Sequence, residues 1–495
     1  MCVARAARLL LGAALPAAVG GCMVGPNYHR PAAIISPHYK ELPPPPGWER
    51  ARPAMAELDR GSWWQIYNDP ILDALEAQVV VSNQNVKVNE ANFRSAQAIT
   101  DAARAGLFPT LSASPSIARN GTGGGSRSFN STTYELQGFA SWDLDVWGRI
   151  RRLVESDVAG TQATAADLAN ATLSYQAALA GDYFNLRAQD QLQDLLDRTI
   201  ASYERSLRIT QNQYDAGLAT TTPIALLQAR TQLEQTRAQA INVGVLRSQY
   251  EHAIAVLTGR PPAALALGPA PLTHFVPAIP VMLPATLLQR RPDIAAAERA
   301  MEQQNALIGV QVAAFFPNIS LSAAYGYSGN PISSLIQVAN RFWSLGANAT
   351  EILFQGGLRS AELDQVHAQY DAAVATYRQT VLTALEFVED DLSALRILAQ
   401  QAEAQARAVA LAEQAVTVAL NEYRAGVIDY TTVVTSQVTA LSNEQTALYI
   451  QQQRLFDSVS LIQQMGGGWS VADLPSRNSL QTSNPLIPSF LEHRP

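Results

Sequence analysis

The chain is written twice, and this limits its possible folds more than any other feature. Phe108-Pro109 returns as Phe316-Pro317 and Glu90 returns as Glu298, each 208 positions on (316 − 108 = 298 − 90 = 208). At the same offset DLDVWGRIRR from Asp143 aligns with EILFQGGLRS from Glu351, and Leu257-Thr-Gly aligns with Met465-Gly-Gly. Tyr214-Asp-Ala-Gly-Leu matches Tyr423-Arg-Ala-Gly-Val at 209. Landmarks kept in one order over nearly the whole body indicate duplication, at a period far beyond the 20–50 residues of a solenoid repeat. Whatever one half folds into, the other half is expected to repeat.

Each copy reads helix, strand, loop, strand, very long helix, tip, helix. A helical stretch from Ile71 ends near Gly106, because Phe108-Pro109 disfavours helix at the residue before proline. The period then changes to two: TLSASPSI from Thr110 alternates, as does YELQGFASWDLD from Tyr134 with one exception. In the second copy Ile319, Leu321, Ala323, Tyr325 and Tyr327 oppose Ser320, Ser322 and Gly326. Trp343, Leu345, Ala347 and Ala349 likewise oppose Ser344, Gly346, Asn348 and Thr350. The expected strands cover residues 108–119, 133–146, 317–327 and 341–353. Residues 149–214 contain no proline and only Gly160 and Gly181, which permits one rod of ~100 Å at ~1.5 Å per residue. Leu192, Leu196, Ile200, Tyr203, Leu207, Thr210 and Tyr214, spaced by threes and fours, form a coiled-coil seam near its end. Val409, Ala412, Val416, Ala419 and Tyr423 repeat it, and core packing accounts for both stripes.

After Cys22 no apolar run is long enough for a transmembrane helix, so any crossing must be a β-barrel. Strands of about nine residues fit a tilted crossing, with apolar residues toward lipid and small polar ones toward a wet lumen. Four strands cannot close a barrel, whereas three chains together would supply twelve. Alternation alone does not say whether lipid or a core lies outside, so a soluble antiparallel sheet is the other reading.

Arg5 and Arg8, an apolar run over 9–19, and Gly20-Gly21-Cys22 have the three zones of an export signal. Small residues before a cysteine suit lipoprotein processing, which leaves Cys22 first, carrying diacylglycerol and an N-acyl chain. The remaining cysteine, Cys2, lies in the removed segment, so the body has neither a disulfide framework nor a cysteine metal site. Only 16% of residues are charged, against about 25% in typical soluble proteins. The net charge is −7 with no Lys/Arg block, which gives no electrostatic reason to propose nucleic acid as a partner. The expected organisation is a signal peptide (1–21), a proline-rich lipid tether (22–60), a first repeat (61–260), a proline-rich linker (261–285), a second repeat (286–468) and a polar tail (469–495).

These segments resemble the TolC-like outer-membrane factors of tripartite efflux systems, in their NodT-type lipoprotein branch. The likeness is carried by Cys22 with GPNYHRP (25–31), Trp63-Trp64 with Asp69-Pro70, and RRPDIAAAE (290–298). FFPNISLSAAYGYSG (315–329), LFQGG (353–357) and YRAGVIDY (423–430) extend it. The resemblance implies a mainly α fold with a small membrane β-barrel: a homotrimer whose twelve-stranded barrel continues into a twelve-helix periplasmic α-barrel. It also implies a helical tip facing a periplasmic adaptor and an inner-membrane pump, and an outer-membrane location in a Gram-negative bacterium. The expected role is passive export of small molecules such as drugs or toxic compounds. A periplasmic coiled-coil adaptor and a type I protein-secretion duct are the alternatives.

Closing a tunnel at one end requires contacts that can break. Asp215 and Arg424 hold equivalent places with opposite charge and are expected to pair across the tip, with Tyr214 and Tyr423 packing beside them. The other reading is two solvated charges at helix ends. Asp429 is the candidate for a lumen-facing acidic ring, because Thr431 and Thr435 stand where family members often carry leucine and aspartate. An enzyme finds no support. The six histidines have no ligand spacing, GTGGGS at Gly121 lacks the Gly-Lys-Ser/Thr of a phosphate loop, and no nucleophile elbow or dinucleotide fingerprint is present. No cofactor and no metal are expected beyond the acyl groups on Cys22.

Overall fold

A computed structural model describes residues 23–41, 62–122, 129–217, 222–279, 281 and 284–480. Each repeat opens with two short helices. In the first these are α1 (Pro70–Ser82) and α2 (Gln84–Ala105), and in the second α5 (Pro284–Arg290) and α6 (Pro292–Ala313). The single helix expected from Ile71 is therefore broken at Asn83. Its side chain accepts from the Asn85 and Val86 amides and donates to Leu257 O at 2.9 Å, capping α2 and tying it to a distant helix end. In the second repeat Pro292 makes the break and starts α6, with Asp293 in its first turn.

The strands are β1 (Thr110–Thr122), β2 (Phe129–Leu144), β3 (Asn318–Gly329) and β4 (Arg341–Thr350). They form one antiparallel sheet in chain order. The first hairpin reaches further from the helices than expected. Its pairing runs out to Thr122 and Phe129, beyond the windows 108–119 and 133–146, because the register continues through polar residues that carry no alternation signal. Conversely, Asp145 leaves the sheet to accept the Ile150 and Arg151 amides at 2.8 and 2.9 Å, so its carboxylate starts the following helix. At the opposite edge of the sheet, β4 stops at Thr350, short of 353.

The rods are α3 (Arg149–Asp215) and α7 (Leu358–Arg424), each of 67 residues, folded back on α4 (Pro223–Leu257) and α8 (Tyr430–Gln464), each of 35. The layer toward the tips runs α4-α3-α8-α7, and toward the sheet it runs α2-α3-α6-α7. The main core lies halfway down, where Trp63, Trp64, Tyr67, Leu72 and Val79 pack on Leu179, Tyr183 and Phe184 of α3 and on Leu455 and Ile462 of α8. The linker crosses this waist with Leu272 buried, and Arg187, itself paired with Asp190, donates to Gly268 O at 2.8 Å.

The expected tether is bonded to the body at both ends of its described stretch, 23–41. The Arg152 guanidinium is 1% exposed and needs acceptors. It finds them in Val24 O, Gly25 O and Asn27 Oδ1 at 3.1, 3.1 and 2.9 Å, with Glu155 as counter-ion at 2.7 Å. Gly25 sits at φ 88° against Gly309, where a Cβ would lie 2.5 Å from the Gly309 Cα. Further along, Arg30 donates to the Tyr377 hydroxyl, Tyr39 is buried, and Glu389 accepts the amides of Lys40 and Glu41 at 2.7 and 3.0 Å.

Candidate pore segment and tip

The register separates the two faces of the sheet. Leu111, Ala140, Ala323 and Leu345 share one row across all four strands, and Ser112, Phe139, Ala324 and Ser344 share the next. The apolar face is bare: Leu111 is 82% exposed, Ile117 70%, Trp343 68% and Leu345 76%. A soluble sheet would cover such a surface, which is continuous over four strands. At its base the Trp142 indole donates to Leu107 O at 3.0 Å. Trp147 stacks on Phe316 at 4.8 Å and donates to Pro317 O, so the Phe-Pro landmark of one repeat locks onto the other.

Cys22 lies outside the described residues. Its neighbour Met23 sits at this base against Gly148, where a Cβ would lie 2.7 Å from the Met23 Cγ, and Val24 N donates to Trp147 O at 3.1 Å.

At the opposite end α7 closes with Gly426 at φ 75°, and Val427 N donates to Glu422 O at 2.9 Å. The tip core consists of Ala225, Ala229, Ala419, Tyr423, Tyr430 and Val433, with Tyr423 and Tyr430 5.3 Å apart. Burial raises the Tyr430 phenol well above its ordinary value. The candidate gate residues do not form one cluster. Tyr423 is 1% exposed and Tyr214 is 40% exposed. Asp215 accepts from Gln211 of its own helix at 2.9 Å and Arg424 donates to Asn421 at 3.4 Å, so no pair joins them within the chain. Partners three and four positions back lie on the same helix face and are reached without crossing the tip. Asp429 caps α8 by accepting Thr432 N at 3.2 Å. The hairpins are joined instead by Gln213 donating to Tyr423 O at 3.4 Å and, deeper, by Gln437 donating to the Ser206 hydroxyl at 3.0 Å.

Buried and half-buried acids at the waist carry no signal in the sequence. Glu76 is wholly buried, neither of its oxygens has a hydrogen-bond partner among the described residues, and desolvation holds it well above the carboxylate range. Desolvation also pushes Asp182 up to about 6 and Asp391 up to about 7. Asp457 and Asp390 add to the Asp391 shift, and the Ser460 hydroxyl at 2.9 Å opposes it. A polar residue every third or fourth position on a long amphipathic helix looks solvated in sequence, and only the packing reveals which ones are not.

The profile of the outer membrane efflux protein family matches residues 75–260 and 283–467. The "Antibiotic efflux pump outer membrane protein ArpC" of Pseudomonas putida is 30% identical over 457 residues, covering 91% of this chain and 93% of that protein. The "Solvent efflux pump outer membrane protein SrpC" of Pseudomonas putida is 31% identical over 465 residues, covering 92% and 97%. Among solved structures, the outer-membrane channel OprN superposes with a TM-score of 0.83 at 29% identity, over 90% of this chain and 100% of that one.

Proposed function

Because this chain belongs to the outer membrane efflux protein family, whose members are transport ducts and not enzymes, we propose that three copies close head to tail into one passive duct across the outer membrane and periplasm. One observation carries the reading: the sheet and the helical layer both end in open edges, and each pair of edges comes from opposite repeats. β1 and α4 of the first repeat form one edge, and β4 and α7 of the second form the other. Apolar side chains remain on both edge helices, Leu227 and Ile241 on α4 and Leu411 and Val418 on α7. An edge that meets its pseudo-equivalent on the next copy makes a heterologous contact that closes as a ring, and four strands from each copy supply twelve. The bare apolar face then meets lipid and the serine-rich face lines the lumen. Cys22, one residue before the base of the sheet, carries the acyl chains that hold this end in the inner leaflet. Its repeats span 61–260 and 286–468, joined by the linker.

The tip meets a periplasmic adaptor and an inner-membrane pump that supplies the energy. The cargo is small and organic, in line with the antibiotic and solvent named for the relatives. In the ring the exposed Tyr214, Asp215, Arg424 and Asp429 face neighbouring copies and hold the tip closed, while Tyr423 keeps each tip core packed. Planar-bilayer conductance of wild type and Arg424→Ala under identical salt tests this. A small wild-type conductance that rises in the variant is expected. An unchanged variant removes Arg424 from the gate, and no conductance from either, even after proteolytic removal of the tips, refutes the duct.

A further inference from the structure

The described strands carry only four charged side chains, and the register sorts them by sign. Glu135, opposite Ser116 and Ser328, and Asp143, opposite Ser320, lie on the serine-rich face. Arg119 shares the apolar face with Ile117 and Leu111, and Arg341 lies in the row of Pro115, Leu136 and Tyr327 on that same face. Both arginines are exposed, both stand toward the end of the sheet remote from the helices, and neither has a carboxylate partner among the described residues. A guanidinium beside hydrocarbon is costly unless an anion at headgroup depth receives it. Tyr325, Tyr327 and Trp343 on this face mark that depth, as an aromatic girdle does.

The arginines occupy opposite edges of the sheet, and its stagger brings them together when the ring closes. The row that starts at Thr110 in β1 reaches β4 at Gly346, and β4 continues from there to Thr350. The rows therefore climb away from the helices by about four positions from one edge to the other, as strand tilt in a barrel requires. Arg341 begins level with Pro115 of its own chain. The same climb, carried one strand step further onto β1 of the next copy, sets it at or within two positions of Arg119 of the partner subunit.

We propose that Arg341 and Arg119 of the partner subunit form, at each junction of the ring, a lipid-facing site for the phosphate of an outer-leaflet lipid headgroup. Two planar guanidinium groups offer paired donors to phosphate oxygens, and the anion relieves the repulsion between them. The inference rests on the closed ring proposed above.

Native mass spectrometry of the full-length protein, titrated with diphosphoryl lipid A, tests both. Wild-type trimers are expected to take up one lipid per junction, and Arg119→Gln and Arg341→Gln each to weaken uptake about tenfold or more, the loss of a charge-assisted hydrogen bond. Dephosphorylated lipid is expected to bind as weakly to wild type as the phosphorylated lipid binds to the variants. Trimers whose uptake ignores both substitutions overturn the site alone. Displacement of the lipid by millimolar inorganic phosphate also overturns it, in favour of a free-anion site. A spectrum of monomers overturns the ring, and the site with it. The same spectra show whether each variant still assembles, so a folding defect is not mistaken for lost binding.

Discussion

Replacing Asp391 with asparagine should stabilise the protein at neutral and alkaline pH and have no such effect in acid. Folding lifts this carboxyl from 3.8 to about 7, chiefly by burial, with the Asp457 and Asp390 charges adding. The folded state therefore holds a proton that the unfolded chain releases between about pH 4 and pH 7. Stability falls as pH rises through that window and stays reduced above it. The difference between 3.8 and about 7 corresponds to at most ~4 kcal/mol at ~1.36 kcal/mol for each tenfold change in proton affinity. The side chain is only partly buried, so solvent screening brings the expected gain to about 1–3 kcal/mol. Asparagine keeps an oxygen for the Ser460 hydroxyl, which now donates to the carboxylate at 2.9 Å. Far-UV circular dichroism melts of both proteins in one detergent, at matched scan rates from pH 4 to pH 8, measure the difference. The variant should unfold at a higher temperature at pH 8, with the gap closing toward pH 4. A gap that does not depend on pH, or a variant less stable at pH 8, would show that Asp391 is ionised at no cost in the assembled protein.

Arg152→Gln should cost about 2–4 kcal/mol, because it strips the acceptors of residues 24–27 of their donor and leaves Glu155 with only the more distant, exposed Arg477 as counter-ion, at 3.6 Å. Limited proteolysis should then cut within 23–41 before the body, and simultaneous loss of both would contradict the assignment of Arg152 as the clasp. Tyr423→Ala removes a ring that is 1% exposed and packed on Tyr430, at about 3–5 kcal/mol to the tip core. Its bilayer conductance should exceed that of wild type, and a tip that stays closed would show that contacts between copies suffice. Cys22→Ser should abolish metabolic labelling by palmitate while leaving the trimer intact, and labelling that persists would place the lipid elsewhere.

The elements were legible where a local signal existed. Proline at 109 and 317 ended helices, alternation marked the strands to within a few residues, and the absence of proline over 149–214 foretold a 67-residue rod. Two boundaries were misplaced where a side chain bonds a partner that local periodicity does not mark. Asn83 breaks the first helix to reach Leu257, and Asp145 abandons the sheet to start α3. The tip shows the same limit. Equivalent positions in the two repeats pointed to Asp215 and Arg424, yet each side chain bonds to its own helix, and the hairpins are held by the apolar tip core together with polar contacts such as those of the unremarkable Gln213 and Gln437. Charge at a pseudo-symmetric position identifies what can meet in an assembly. It does not identify what meets within one chain.

Duplication also conceals a division of labour. α3 and α7 have the same length and aligned landmarks, but α3 buries residues along most of its course, including Leu179, Tyr183, Phe184 and Leu196. α7 leaves Leu382, Phe387, Ile397, Leu411 and Val418 exposed. In a closed ring both rods would have neighbours on either side, so both need similar apolar stripes, and periodicity cannot tell a contact within the chain from one between copies. The layer order resolves the two: α3 lies between α4 and α8, whereas α7 stands at the edge. The stripe on α7 that no helix of its own chain covers is therefore the stripe on which closure of the proposed ring would depend. A charge placed there, as in Leu411→Glu, should disperse the trimer while leaving the helical content of each copy unchanged.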